Sequence, residues 1–141
     1  MLVRGFHPSD RAEWQRMRTA LWRDQTTADM DAWLCRADAV VLVADVGAGR
    51  LVGFAEFGAR SIADSCTTTP VAYLEGWWVD PEWRRKGVGT ALIAAGEQWA
   101  RGAGYTELAS DTTIDNHVSQ VAHRHLGFIE VERAVLYRKD L

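Results

Sequence analysis

The chain is poor in several features that mark whole protein classes. It holds two cysteines, Cys35 and Cys66, far apart and outside any C-x-x-C or Cys/His spacing. No zinc site is expected from that, and two free thiols in a reducing compartment is the simple reading. The N-terminus, MLVRGFHPSDRAEW, lacks the apolar core of a signal peptide, and no apolar run is long enough to span a membrane. Repeats, low-complexity tracts and linkers are absent. Excess positive charge is missing as well: 16 Lys and Arg stand against 19 Asp and Glu, a formal net charge of −3. That argues against a nucleic-acid partner, which needs a basic face, and is compatible with a cationic small substrate. The expectation is a cytoplasmic protein with neither a membrane nor a nucleic acid as partner.

What is present suits one domain over residues 1–141, of ordinary globular composition and long enough to bury a core. Seven tryptophans are many for this length. Some belong in the core, and some are free to line a site for a ring-shaped ligand.

Residues 1–6 read as a strand that HPSD stops, with Ser9 and Asp10 as N-cap candidates. Trp14, Met17 and Leu21 follow at helical spacing to about Arg23, and residues 27–36 form a shorter helix. AVVLVADV (39–46) and LVGFAEFGA (51–59) read as a hairpin, and VAYLEGWWV (71–79) as a third strand closed by Asp80-Pro81. Residues 88–101 are a helix with Val88, Leu92, Ala95 and Trp99 on one face. TELASD (106–111) is a strand, and 115–125 a helix with Val118, Val121, Ala122 and His125 on one side. Gly127 stands where a C-terminal cap belongs, and FIEVERAVLYRKDL gives two last short strands. The order β-α-α-β-β-β-α-β-α-β-β implies an α/β fold. Its sheet is mixed and mostly antiparallel, flanked by helices, with one parallel pair around the 88–101 helix.

The segment DPEWRRKGVGTALI sits between a strand and a helix. Amides at a helix start have no partner inside the helix, and the helix dipole favours an anion there. Gly87 and Gly89 let a phosphate approach the backbone, and Arg84, Arg85 and Lys86 add charge. The pattern is not a Walker loop, and position 92 is Leu where a dinucleotide-binding fingerprint needs a third glycine. A phosphate or pyrophosphate ligand is the reading that remains.

R-x-x-G-x-G after a strand resembles the acetyl-CoA loop of the GCN5-related N-acetyltransferase (GNAT) superfamily, and the element order does so over the whole chain. Three segments, LEGWWVDPEWRRKGVG, ELASDTTIDNHVSQVAHRHLGF and EVERAVLYRK, resemble the aminoglycoside 6'-N-acetyltransferases. The resemblance implies a GNAT fold that binds acetyl-CoA and an aminoglycoside, transfers acetyl directly to the 6'-amine, confers resistance, needs no metal and pairs into a homodimer. Val135 and Leu136 in the strand-rich tail are compatible with pairing. The resemblance sets acetyl-CoA against Trp77, Trp78 and Val79, whose backbone meets the oxyanion. It also sets it against Arg84, Arg85, Lys86, Gly87, Val88, Gly89 and Thr90, and against Asn116 and Ser119. Asn116 is either a pantetheine contact or an N-cap.

The acceptor ammonium, with a pKa of roughly 10, must lose a proton before attack. Strand alternation puts Val71, Tyr73, Glu75, Trp77 and Val79 on one face, which partly desolvates Glu75 between Tyr73 and Trp77. Glu75 is therefore either the catalytic base or an anchor for the ammonium, or both. His123 stands where many superfamily members carry a tyrosine that protonates the departing thiolate; it is either that acid or structural. By resemblance the substrate also meets Trp22, Tyr73, Asp111 and Glu132, with Glu56 on the preceding hairpin strand as a weaker candidate. Trp22 is otherwise a core residue, and Glu56 and Glu132 solvated surface. Loop 58–70 departs from the family in carrying no aromatic residue.

Overall fold

The computed structural model describes residues 1–141. Strands β1 (Leu2–Gly5), β2 (Ala39–Asp45), β3 (Leu51–Arg60), β4 (Val71–Val79) and β5 (Leu108–Ser110) form one sheet in chain order. The first four run antiparallel and β5 is parallel to β4. Helices α1 (Arg11–Leu21) and α2 (Thr27–Leu34) precede β2, α3 (Val88–Gly102) crosses from β4 to β5, and α4 (His117–His125) follows β5.

Each face of the sheet has its own core. Trp14 and Met17 of α1 and Met30 of α2 meet Val41, Val43, Leu51 and Phe54 on one face. Val88, Leu92 and Ile93 of α3 meet Leu42, Ala44, Val52, Ala55, Phe57 and Leu74 on the other. The fully buried rings of Trp14, Phe54 and Phe57 each contribute about 2–3 kcal/mol by leaving water.

Side-chain caps mark the starts of α2 and α4 but not those of α1 and α3. Thr26 and Asp29 form a reciprocal capping box at α2. Asp10 lies at the N-cap of α1 but makes no side-chain cap bond there. Its carboxylate instead accepts from the His7 amide (2.7 Å) and from both terminal nitrogens of Arg4 (2.7 and 3.0 Å). At the end of β4, Asp80 is buried. It accepts from Arg16 through both oxygens (3.0 Å each) and from Trp78 Nε1 (3.0 Å). Burial pushes this carboxyl up, but Arg16 and Trp78 outweigh it and hold it below the usual range.

Three expectations need correction. The tail beyond Phe128 forms no strands, and Ile129, Val131, Val135, Leu136 and Tyr137 are exposed. Its β-branched pattern has no partner strand within the chain. On α4, Val118, Val121 and His125 face outward, while Ser119, Ala122 and His123 turn toward the body. The alternation on β4 also breaks. Glu56 pairs with Gly76 and Phe57 with Leu74, so Glu75 is an extra residue, a β-bulge. Leu74 and Trp77 therefore share the α3 face, and Tyr73 does not lie with Trp77 and Val79.

Candidate active site

The bulge at Glu75 coincides with the end of the β4–β5 ladder. Those strands pair only from Ala72↔Leu108 to Leu74↔Ser110. Beyond that point β4 runs on through Gly76–Val79 without β5, leaving a notch at the C-terminal ends of the parallel pair. Notches of this kind are where α/β sheets bind ligands.

One wall of the notch is the start of α3. The first bond of that helix is the Ala91 amide to the Gly87 carbonyl (3.0 Å), so the amides of Val88, Gly89 and Thr90 have no acceptor within it. The two glycines have different jobs. Gly87 adopts φ +82°, and a Cβ there would touch nothing within 4 Å. At Gly89 a Cβ would lie 2.7 Å from Cζ2 of Trp77, so its absence lets the helix start press on that indole. Trp77 Nε1 is buried without a partner. The cations also divide. Arg84 folds back, its Nε on the Val79 carbonyl (2.9 Å) and its guanidinium over Trp78. Lys86 sits over Trp83, and Arg85 is exposed at φ +57°. The unspent amides, Arg85 and the orphaned indole nitrogen fit a pyrophosphate with an amide-bearing arm.

On the opposite face a pocket of about 290 Å³ opens between α1, α2 and the sheet. Trp22, the C-cap of α1, sets the benzo edge of its indole against Gly76, where any side chain would collide with it. Glu56 forms the floor, almost fully buried. Its Oε1 accepts from Trp14 Nε1 (2.9 Å) and Arg18 Nη1 (2.7 Å). Burial pushes Glu56 up to about 7, against the pull of Arg18 and Trp14. Arg18, spaced one turn from both Trp14 and Trp22, stacks on both rings. Asp24, Asp29 and Glu75 also line the pocket and make it acidic.

Glu75 and Asp111 meet at the pocket edge through residues the sequence did not single out together. Arg60, last in β3, donates from Nε and Nη2 to the two Glu75 oxygens (2.7 Å each). Its guanidinium stacks 3.5 Å from the Tyr73 ring centroid and lies 3.9 Å from Asp111. The Tyr73 hydroxyl donates to Asp111. Burial first, then Asp111, pushes the Tyr73 phenol well above its usual range. No motif contains Arg60; only an acid fifteen positions on, across a hairpin strand, hints at it. Loop 61–70 is tethered by Glu107, whose Oε1 accepts from the amides of Thr67 (2.8 Å) and Thr68 (2.7 Å) and from both hydroxyls. Those bonds, the Thr68 hydroxyl foremost, hold Glu107 down at about 2.

The remaining candidates scatter. His123 Nδ1 lies 2.7 Å from the Ser119 carbonyl, which only accepts, so Nδ1 carries the proton; Nε2 then accepts from the Ser110 hydroxyl (2.8 Å). The ring stands edge-on to Trp77. Asn116 is the N-cap of α4, its Oδ1 accepting from the Ser119 amide (3.1 Å). Glu132 is on the exposed tail.

An anion site on one side of a splayed strand and an acidic pocket on the other suit acyl transfer from a phosphorylated carrier to a cation. This is the architecture of a GNAT-type acetyltransferase. The chain belongs to the acetyltransferase (GNAT) family, whose description matches residues 8–128. It is 43% identical to the aminoglycoside N(6')-acetyltransferase type 1 of Klebsiella aerogenes, over 99% of this chain and 97% of that protein. Among solved structures it resembles the aminoglycoside 6'-N-acetyltransferase AAC(6')-Ig of Acinetobacter haemolyticus, with a TM-score of 0.92, 33% identity, and 100% and 99% of the two chains covered. AAC(6')-Iy, solved with the bisubstrate analogue CoA-S-monomethyl-acetylneamine, matches at a TM-score of 0.92, 34% identity, and 99% and 98% coverage.

Proposed function

We propose that this enzyme transfers the acetyl group of acetyl-CoA to the 6'-amine of an aminoglycoside. The observation that carries this reading is a pair of β4 residues that joins the two ligand sites. Glu75 edges the acidic pocket, and two positions on Trp77 presses against the helix start that takes the pyrophosphate. The relatives named above act on the same class of acceptor, and AAC(6')-Iy accepts a molecule joining CoA to neamine.

In this reading the amides of Val88, Gly89 and Thr90, with Arg85, hold the diphosphate. Trp22 packs on a sugar face, while Glu56, Glu75 and Asp111 take ammonium groups. Glu75 removes the proton of the 6'-ammonium, directly or through water. The amine nitrogen then bonds to the thioester carbonyl carbon. A backbone amide near Trp77–Val79, released from pairing by the short β5, donates to the oxyanion. As the C–S bond breaks, the nitrogen sheds its second proton to water, leaving the neutral amide, and the thiolate takes one up. His123 is the candidate donor: a second proton taken up at Nε2, the nitrogen that otherwise accepts from Ser110, would pass on to the sulfur.

The exposed apolar tail and the outer Val118–Val121 face of α4 are where a second copy fits. Pairing there gives a homodimer. No helix is long and apolar enough to cross a membrane. Action in the cytoplasm, where acetyl-CoA is made, and antibiotic resistance complete the reading.

The test is thiol release from acetyl-CoA with kanamycin A, which carries a 6'-amine, and paromomycin, which carries a hydroxyl there. Activity on the first alone is expected. Activity on neither returns the acceptor to another small amine or a protein amine.

A further inference from the structure

The corner formed by Glu75, Tyr73 and Asp111 is already filled by a cation of the chain itself. Arg60 reaches both oxygens of Glu75 in the forked geometry of a guanidinium on a carboxylate, and its planar face covers the Tyr73 ring. Asp111 completes the corner from β5. Two acids and an aromatic face around one positive charge is the arrangement an alkylammonium ligand would need.

Three facts make the occupant exchangeable. Arg60 is the last residue of β3, where the strand gives way to loop 61–70. That side chain is 43% exposed, against 8% for Arg18 in the permanent pair with Glu56. The incoming group also carries one positive charge, so the carboxylates are neutralised both before and after the exchange.

We propose that Arg60 is a built-in stand-in for the acceptor's ammonium: it fills the Glu75–Tyr73–Asp111 corner until an acceptor amine displaces it. The inference rests on the reading of that corner as the amine subsite. It makes Arg60 a specificity-determining residue. While the fork is closed, both Glu75 oxygens are engaged and the base is shielded. A polycation, also met by the exposed carboxylates of Asp24 and Asp29 that line the same pocket, has the leverage to open it. A lone monoamine does not. The same contact keeps Glu75 and Asp111 from facing each other unneutralised when no acceptor is bound.

The experiment is calorimetric titration of kanamycin A into the CoA-loaded enzyme, with turnover measured alongside. Arg60→Ala should lower the kanamycin A Kd by about five-fold, the gain expected when a closed form worth a half-exposed ion pair is removed. Arg60→Lys, which offers a point charge and no fork, should fall between. Arg101→Gln, which removes a remote surface cation, should leave Kd unchanged and so exclude a bulk charge effect. In a Glu75→Gln background, Arg60→Ala should give no gain. An unchanged or raised Kd in Arg60→Ala, with wild-type turnover of kanamycin A intact, overturns the stand-in alone. No acetylation of kanamycin A by wild type or variant overturns the acceptor assignment and the stand-in with it.

Discussion

Gly89→Ala is the sharpest probe of how the acetyl-CoA wall is built. The new Cβ would lie 2.7 Å from Trp77 Cζ2, 3.2 Å from Cε2 and 3.3 Å from Nε1. To restore ordinary contact the indole must retreat by about 0.7 Å. It has little room, because His123 stands edge-on behind it with ring centroids 5.7 Å apart, and Ser110 and Ser119 fix His123. Overpacking of this kind costs about 1–3 kcal/mol. In a domain this size that lowers Tm by roughly 3–10 °C. Thermal unfolding followed by circular dichroism reads it directly, and KM for acetyl-CoA should rise several-fold because β4 shifts with its tryptophan. Gly87→Ala is the control: its Cβ meets nothing, so only the left-handed backbone is penalised, by about 1 kcal/mol. Trp77→Phe removes the clashing atoms and should recover most of the Tm lost in Gly89→Ala. If Gly89→Ala costs no more than Gly87→Ala, or costs as much in the Trp77→Phe background as in wild type, the close-packing argument is wrong.

Burial holds Glu56 at about 7, so raising the pH through neutrality adds a negative charge to the pocket floor and withdraws some folding stability. Wild type should therefore bind kanamycin A more tightly and melt lower over that rise, whereas Glu56→Gln should show a flat affinity; calorimetry and melting at the two ends of the range check both. The Asp80 carboxyl is depressed, so its contribution is present above its unfolded value, about pH 4, and is lost as acid protonates it in the fold. Asp80→Asn should cost about 1–2 kcal/mol at neutral pH and almost nothing in strong acid, by urea unfolding at each pH. Because Glu107 sits at about 2, its tether survives mild acid; Glu107→Gln should make loop 61–70 the first site of proteinase K cleavage with little change in Tm.

Much of this was legible in the letters. Periodicity placed the four α-helices and the five sheet strands within a few residues, because each carries an apolar pattern of its own, although on α4 that pattern marks the outer face. DPEWRRKGVG announced the helix start and its amides, since a strand, a proline and two glycines in that order restrict the backbone strongly. Features set by one element meeting another were not legible. The bulge at Glu75 leaves VAYLEGWWV looking like any alternating strand, yet it moves Trp77 to the face opposite Tyr73. Gly89 read as room for a phosphate, while its neighbour is an indole on the preceding strand. Arg60 lay in a loop stretch noted only for lacking an aromatic. The tail had the composition of strands, but pairing needs a partner edge, which composition does not supply.

The bulge makes β4 a septum between two chambers. On the proposed function the acceptor would come from the α1–α2 side, where Trp22 lines the pocket, and the donor from the side where Trp77 meets the start of α3. They meet only where the strand falls out of phase. On that reading neither ligand would stand in the other's doorway, and a random order of addition and release is the expected outcome. Initial-rate patterns for such an enzyme intersect, and inhibition by each product is not confined to one form of the protein.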